Sequence, residues 1–368
     1  MVENKFVKDN LYYFISVFFI NIKGLFLVPI LIKNVGVSIY GDYSLIISFL
    51  GFLFGISSFG ISYSFKRYFP GSKDINKKRK LFYYQFYLHF LFLLFLLMVL
   101  IFTWPMLSQE MNLPFISVGF LALWMFSSFL YSQMLDYYRF NNQISFFSIY
   151  SLLYPYISIL TIMIVLGYYN NLNLNVLVII DGLTMLILSV FLLPKVLYEL
   201  GLIFPKISFN FIKLNLKLGL PLVFNYVLDF VMNFSDRFVI VFFLSSTFVG
   251  VYNPAYMIGS FFLLISKVLN VVLQIFISKL EDVGKKMEAS KLFLISQKVV
   301  LVFGFLALVI NLNFGKRLLA IFANDFVANN SQFIPVIINI GAIFYGMNIL
   351  YSTRLFVKKK QRTYLELI

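Results

Sequence analysis

The stretch that decides the fold class lies at residues 77–104 and reads KKRKLFYYQFYLHFLFLLFLLMVLIFTW. Four consecutive basic residues precede a long run, 81–104, that contains no Asp, Glu, Lys or Arg. An α-helix needs about 20 predominantly apolar residues to cross the bilayer core, and short loops rich in Lys and Arg stay on the cytoplasmic side. The stretch therefore predicts a transmembrane helix that begins at the cytoplasmic surface.

The same kind of apolar run recurs along the whole chain. Lipid cannot satisfy backbone polar groups, so each run must form a helix or a barrel strand, and these runs are long and continuously apolar rather than alternating. We therefore predict an all-α, polytopic helical membrane protein with about ten transmembrane helices. The predicted spans are 10–33, 42–64, 81–104, 113–133, 143–167, 174–194, 215–244, 251–278, 292–314 and 329–353.

The distribution of basic residues orients these helices. Twenty-four of the 30 Lys and Arg residues fall in the N-terminal segment, in every second loop or in the C-terminal segment, whereas three lie in the intervening loops. This bias predicts a multi-pass membrane protein with a cytoplasmic N-terminus. It also explains the net charge of +15 by topology and anionic headgroups. The expected partner of the charged surface is the lipid bilayer, and we expect no nucleic acid.

The composition supports this class and excludes several kinds of chemistry. The chain is 61% hydrophobic, 20% aromatic and only 12% charged, compared with about 25% charged residues in soluble domains. It has no Cys, so disulfides and thiol chemistry are excluded, and its single His makes a metal site unexpected. A phosphate-binding loop of the G-x-x-x-x-G-K-[ST] type is absent, so we expect no ATP hydrolysis. We expect no cofactor beyond coupling to H⁺ or Na⁺, and no cleavable signal peptide.

A longer basic connection divides the chain into two predicted lobes. Residues 195–214 contain three Lys and Pro205, and we interpret them as a cytoplasmic linker. Residues 1–194 would then form an N-terminal lobe of six helices, and residues 215–368 a C-terminal lobe of four helices. Many transporters are built from such repeated lobes, with the substrate site between the halves.

A short internal repeat agrees with this division. The stretch Ile39-Tyr40-Gly41-Asp42-Tyr43 precedes span two, and Phe248-Val249-Gly250-Val251-Tyr252 precedes span eight. Both place a G-x-Y tripeptide at an outer hairpin, and the offset of 209 residues matches a six-helix repeat.

The motifs at these positions resemble those of a known family. The chain is similar to bacterial polysaccharide (O-antigen type) flippases of the multidrug/oligosaccharidyl-lipid/polysaccharide exporter superfamily. The resemblance implies two lobes around a central cavity and transport of undecaprenyl-diphosphate-linked oligosaccharide from the inner to the outer leaflet, beside other polysaccharide-assembly membrane proteins. Such flippases usually have twelve or more spans, so we expect the C-terminal lobe to be short by two helices. The motifs that carry the resemblance are Gly41-x-Tyr43, Arg67-Tyr68, Gly219-x-Pro221, Asp236-Arg237-Phe238 and Gly250-x-Tyr252.

Charged residues inside spans are the candidates for transport chemistry, because such residues usually face protein or a wet cavity. Span seven carries Asn225, Asp229, Asn233 and Asp236 on one helical face, with Arg237 beside it. Span eight carries a second stripe at intervals of seven residues. We expect the two stripes to face a common cavity, although polar stripes also join helices directly. The second stripe consists of Asn253, Ser260, Lys267 and Gln274.

The spacing and charge of these residues suggest separate roles. A diphosphate headgroup needs fixed cations to replace its water, so Lys23, Arg237 and Lys267 are the candidates for diphosphate contact. Asn225, Asn233, Ser260 and Gln274 are the polar candidates for the same cavity. Coupling to an ion would use a buried carboxylate. We prefer Asp229 for its expected depth, with Asp181 and Asp236 as further candidates, and each of the three could equally be a structural hydrogen-bond partner.

Small residues in span two predict close packing. Ser44, Ser48, Gly51, Gly55, Ser58 and Ser62 recur at alternating steps of four and three, which places them along one face. We expect another helix to approach span two along this seam.

Two other functions compete with the flippase interpretation. A membrane glycosyltransferase such as an O-antigen polymerase is also polytopic, but it would need a large outer loop, and every outer loop here is short. A drug or cation antiporter of the same superfamily would favour carboxylates over cations in the cavity, which Lys23 and Lys267 oppose. We therefore expect a transporter and no enzyme.

Overall fold

The computed structural model describes residues 2–62, 65, 69–70, 74–110, 116–169, 172–203 and 209–365. The predicted Arg67-Tyr68 motif and part of the predicted linker, 204–208, lie outside the described residues. The described part of the chain forms twelve α-helices and no strand. They are α1 Val2–Asn34, α2 Val37–Ser57, α3 Ile75–Glu110, α4 Val118–Phe140, α5 Ile144–Tyr168, α6 Leu174–Leu200, α7 Phe209–Phe243, α8 Ser246–Ser260, α9 Leu263–Asp282, α10 Lys286–Phe322, α11 Asp325–Ser331 and α12 Ile334–Leu365.

The predicted all-α, polytopic architecture is confirmed. Among the described residues, eight helices are long and apolar enough to cross a membrane, and the bent pair α8 and α9 makes a ninth span if it crosses once. The predicted span 215–244 coincides with α7 but is not among the nine.

The protein divides into two compact units, Met1–Gly250 and Val251–Ile368. This boundary differs from the predicted linker at 195–214, because α7 packs against α2 and so belongs with the first unit. The predicted division into lobes at 1–194 and 215–368 stays a prediction.

In the first unit, α4 packs along α6 and α1 packs along α5. The contact between α4 and α6 is close because Gly182 has no side chain: a Cβ there would lie 3.3 Å from the Cα of Trp124. Leu121, Met125, Leu177 and Val178 are completely buried in this layer. A membrane protein packs its helices by such close contacts, because lipid itself gives apolar side chains no reason to leave it.

The second unit is built on α9, α10 and α12, which pack against one another. Its core contains Phe262, Leu263, Ile277, Phe293 and Val300. The short helix α11 packs on α10.

The predicted span 251–278 is wrong as one continuous helix. The helix breaks between Ser260 and Leu263, and α8 and α9 meet at a bend of 55°. At the break, the Ser260 hydroxyl donates to the Tyr256 carbonyl at 2.7 Å, and the buried Asn339 amide of α12 donates to the Gly259 carbonyl at 3.2 Å. A side chain that bonds a helix carbonyl weakens the regular backbone pattern, and Asn339 satisfies a carbonyl that the break leaves without a helical partner.

The predicted span 42–64 is also interrupted. The helix α2 ends at Ser57, and a turn follows in which Phe59 and Gly60 have φ angles of 41° and 73°. Gly60 can adopt this left-handed conformation freely, and a Cβ there would collide with the backbone of Gly219. The turn therefore brings the end of α2 directly against α7.

The small-residue seam predicted along span two is confirmed as a packing surface around Gly51 and Gly55, where α7 contacts it. The Tyr226 hydroxyl of α7 donates to the Gly51 carbonyl at 2.8 Å, and its ring occupies the space beside Gly55 where a side chain would otherwise stand. Phe52 and Phe230 add a ring contact of 4.3 Å between centroids on the same two helices.

The two G-x-Y tripeptides lie in the first turns of α2 and α8 rather than in the preceding hairpins. A Cβ at Gly41 would collide with the Ser246 carbonyl, and a Cβ at Gly250 would collide with the Val37 carbonyl. Val37 and Ser246 are themselves 209 residues apart, so the contact is reciprocal. The hydroxyls of Ser38 and Thr247, which have the same offset, lie 3.3 Å apart. These paired contacts support the internal repeat that the sequence predicts.

Candidate transport site

A buried carboxylate lies inside the first unit. Asp181 of α6 is 4% exposed, and its two carboxylate oxygens accept hydrogen bonds from the hydroxyls of Tyr43 and Ser158. These donors come from α2 and α5, so the carboxylate joins three helices. A carboxylate at this depth is costly unless it is hydrogen-bonded or paired, and the two hydroxyls meet part of that requirement.

A cation lies beside this carboxylate. Lys23 of α1 is half-buried, and its Nζ is 5.8 Å from the centroid of the Tyr154 ring. The Lys23 charge also interacts electrostatically with Asp181. We name Lys23, Tyr43, Tyr154, Ser158 and Asp181 the Asp181 cluster. It combines an ammonium, a carboxylate, three hydroxyls and aromatic faces inside the membrane-spanning part of one unit.

The surroundings of the Asp181 cluster hold it in place. The rings of Tyr131 and Tyr154 are 5.7 Å apart, and the Tyr131 hydroxyl donates to the Tyr150 carbonyl at 2.5 Å. Side chains that are fixed by such contacts present a site of defined geometry. These contacts fix the positions of the Tyr131 and Tyr154 rings beside the Asp181 cluster.

The predicted residues of α7 form a separate group along one helix. The guanidinium of Arg237 is 3.6 Å from the Asp236 carboxylate and donates to the Asn233 carbonyl at 3.0 Å. It also lies 4.8 Å from the Phe234 ring centroid. The Arg237 side chain is only 11% exposed. Its charge is thus partly neutralised by its own helix.

The remaining predicted residues of α7 are more accessible. Asn225 and Asp229 are exposed, whereas Asn233 is half-buried and its amide donates to the Asp229 carbonyl at 2.6 Å. Asp229 is exposed on α7, and its role as the coupling carboxylate stays a prediction. Asp181 is the carboxylate that the structure buries.

The predicted stripe of span eight is divided by the bend. Ser260 ends α8, and Lys267 is exposed on α9. The side chain of Gln274 lies outside the described residues. Because the helix axis changes direction at the break, spacing by sevens no longer places these residues on one continuous face. The structure brings together Lys23 and Asp181, and separately Asn233, Asp236 and Arg237.

Sequence reasoning missed the partners of Asp181. Tyr43 was recognised only as part of the G-x-Y repeat, and Tyr154 and Ser158 occur in an apolar span with several other Tyr and Ser residues, so neither signal pointed to Asp181. It also missed the partners of His89: its Nε2 is 2.9 Å from the Ser57 hydroxyl, and its Nδ1 is 2.8 Å from the Gln133 amide nitrogen. The His89 ring thus links α2, α3 and α4 inside the first unit.

Comparison with known proteins gives a fold but no close relative. No protein-family model matches the chain. No curated protein matches its sequence.

Solved structures of membrane transporters share the fold. One is an inward-facing multidrug resistance MATE family transporter of the MOP superfamily, with a TM-score of 0.61, 12% identity, and coverage of 93% of this chain and 83% of that one. The MATE multidrug transporter DinF-BH in complex with rhodamine 6G matches with a TM-score of 0.59 and 14% identity over 99% and 85% of the two chains. A MATE protein in complex with MaD3S matches with a TM-score of 0.56 and 13% identity, over 95% of this chain and 84% of that one.

These neighbours share the fold of this chain at 12–14% identity, and the superfamily, the transporter role and the O-antigen flippase family stay predictions. The shared fold and the long apolar helices agree with a multi-pass membrane protein. The chain has the fold of the MATE transporters of the MOP superfamily.

Proposed function

We propose that the protein is a membrane transporter that works by alternating access and flips undecaprenyl-diphosphate-linked oligosaccharide to the outer leaflet. The fold, which is shared with MATE transporters, supports a membrane transporter that works by alternating access. The observation that carries the substrate is the Lys23 ammonium, which stays beside Tyr154 and Asp181 within α1 rather than at an end of the helix.

The chemistry of the substrate explains this choice. A lipid diphosphate carries about two negative charges, and moving it through a membrane requires cations and polar donors in place of water. Lys23 supplies a cation within the first unit, and Lys267 supplies an exposed one within the second. Tyrosine rings and hydroxyls, which the Asp181 cluster contains, suit a hydroxyl-rich glycan because they offer both flat apolar faces and hydrogen-bond partners.

Ion coupling belongs to the same proposal. We assign Asp181 as the carboxylate that exchanges H⁺ or Na⁺ during transport, in preference to Asp229 and Asp236. Its burial favours this role, because loss of a proton inside the membrane changes the local charge balance far more than it would at the surface. Asp229 is exposed, and Asp236 is engaged by Arg237.

A multidrug antiporter is the second candidate. The printed descriptions of two neighbours are those of multidrug transporters, one of them in complex with rhodamine 6G. A cationic drug would find a carboxylate at Asp181, but it would also meet the like charge of Lys23, which opposes its binding.

The two candidates are separated by paired assays in cells. The gene is expressed in a strain that lacks its own O-antigen flippase, and surface glycan is measured; rhodamine 6G efflux is measured in a strain that lacks drug exporters. We expect restored glycan and no efflux. Efflux without glycan would contradict the flippase proposal and favour the antiporter.

Matched variants then test whether the Lys23 charge contacts the diphosphate. We expect Lys23→Gln to reduce surface glycan at least tenfold at normal membrane abundance, because a charge-assisted contact to phosphate is lost. Lys23→Arg keeps the charge and should retain part of the activity. Lys77→Gln, at an exposed position before the first apolar run of α3, is the control and should leave glycan display unchanged. Normal glycan display by Lys23→Gln would exclude diphosphate contact at this residue.

A further inference from the structure

Two cations in the first unit are held over aromatic rings at the predicted cytoplasmic boundary. Lys195 lies five residues before the end of α6, and its Nζ is 3.9 Å from the Phe146 ring centroid and 5.6 Å from that of Tyr138. Arg139 is the penultimate residue of α4, and its Cζ is 5.2 Å from the Phe147 ring centroid. Phe146 and Phe147 are neighbours in the first turn of α5, so the two cations flank one helix end.

The positions of both cations are fixed by several contacts. Arg139 is also 5.6 Å from the Tyr13 ring centroid of α1, and its guanidinium donates to the Tyr13 hydroxyl at 3.4 Å. In cation–π contacts of this kind, the ring quadrupole attracts the cation to the face of the ring. They orient the side chain but leave its charge uncompensated.

No carboxylate neutralises either cation within the described parts of the chain. The two ion pairs found there are Asp236–Arg237 and Lys285–Glu288, and neither involves Arg139 or Lys195. Glu199 is four residues after Lys195, but its carboxylate accepts hydrogen bonds from Tyr137, Asn141 and Gln143 instead. Arg139 and Lys195 are therefore two half-buried positive charges that form no ion pair within the described residues.

An exposed apolar face of α5 and α6 adjoins these cations. Ile187, Phe191 and Lys195 follow one another at intervals of four on α6, so they form a single stripe along that helix. Phe191 is 71% exposed and Ile187 is 53% exposed. On α5, which packs against α6, Phe146 and Ile149 are exposed as well. The surface thus has an apolar part, which extends about 12 Å along α6 at the helical rise per residue, and a positive end at Lys195.

We infer that this surface binds an anionic glycerophospholipid of the cytoplasmic leaflet, such as phosphatidylglycerol. Its phosphate lies between Arg139 and Lys195, and its acyl chains follow the exposed face of α5 and α6. Charge complementarity selects an anionic headgroup, since Lys and Arg side chains near a membrane surface attract anionic lipids. This lipid is a bound partner and not the transported substrate, so the inference stands independently of the proposed function.

The test measures lipid binding on the purified full-length protein. Thermal unfolding midpoints are recorded in detergent with added phosphatidylglycerol or phosphatidylcholine, and native mass spectrometry counts retained lipid. We expect phosphatidylglycerol to raise the midpoint of the wild type, and the double variant Arg139→Gln/Lys195→Gln to weaken its apparent affinity about tenfold or more. Lys195→Arg should retain binding because it keeps the charge over Phe146.

The control removes the same charge elsewhere on the predicted cytoplasmic side. Lys77→Gln/Lys80→Gln changes two exposed positions at the start of α3 and should bind phosphatidylglycerol like the wild type. Equal loss in both double variants would mean that net charge alone attracts the lipid and would overturn the inference. An unchanged phosphatidylglycerol effect in Arg139→Gln/Lys195→Gln would overturn it too, as would an equal stabilisation of the wild type by inorganic phosphate without a lipid chain.

Discussion

Asp181 shows how one side chain can belong to both structure and function. Its carboxylate is buried among α2, α5 and α6 and holds the Tyr43 and Ser158 hydroxyls. A purely structural carboxylate would need only these hydrogen bonds, whereas an ion-coupling carboxylate must also change its charge. The nearby Lys23 makes that change consequential, because protonation of Asp181 would leave the ammonium less well compensated.

Substitution of Asp181 by Asn separates these two roles. The amide oxygen can still accept a hydrogen bond from one hydroxyl, so we expect protein abundance and thermal stability to fall only modestly. If Asp181 couples transport to an ion, the rate of transport driven by an imposed H⁺ or Na⁺ gradient in proteoliposomes should be at least tenfold lower in the variant. Asp229→Asn is the control and should keep this dependence. Gradient-driven transport at the wild-type rate by Asp181→Asn would refute the coupling role.

At the scale of elements, the glycines of α2 determine how closely other helices approach it. A Cβ at Gly41 would meet the Ser246 carbonyl and would lie 2.9 Å from the Gly250 amide nitrogen, so backbone rather than a movable side chain fills the space. Gly51 lies on the same helix but has no atom within 4 Å of a Cβ position. The two positions look alike in the sequence, and only the packing distinguishes them.

This difference predicts opposite effects of the same substitution. Gly41→Ala should destabilise the protein by about 1–3 kcal/mol, because overpacking forces the backbones apart. Gly51→Ala should be neutral or slightly stabilising, because Ala is the better helix former and has room. Thermal unfolding of both variants in detergent measures the difference. A Gly41→Ala variant as stable as Gly51→Ala would show that α2 does not make this close contact.

At the scale of the whole molecule, orientation in the membrane follows from charge. The predicted topology places Lys77 on the cytoplasmic side and Asn173, just before α6, on the outer side. The chain has no Cys, so single cysteines can be introduced without removing any native one.

Labelling with a membrane-impermeant maleimide tests this topology in cells. We expect Asn173→Cys to react in spheroplasts that are intact, and Lys77→Cys to react only after the membrane is permeabilised. Both residues are exposed, so accessibility within the fold does not limit the reaction. The reverse pattern would show that the chain has the opposite orientation.

The sequence by itself determined the class, the helices and the predicted orientation of this protein. In lipid, the backbone polar groups of a long apolar run can be paired only by regular hydrogen bonding, and basic loops are costly to translocate. Both signals depend on the local sequence and not on how the helices pack. For the same reason the stretch 77–104 predicted α3 correctly, apart from helical extensions at both ends. The G-x-Y repeat was also visible at this level, because its offset can be read without a structure.

Only the tertiary structure decided which polar residues meet. Asp229 looked deeper than Asp181 from span position alone, yet packing buries Asp181 and exposes Asp229. Periodicity places residues on a helix face but does not determine which neighbour covers that face, and the break between α8 and α9 depends partly on Asn339, 80 residues away in the chain. Contacts between residues distant in sequence depend on how the helices pack, and a single sequence read locally carries no direct signal for them.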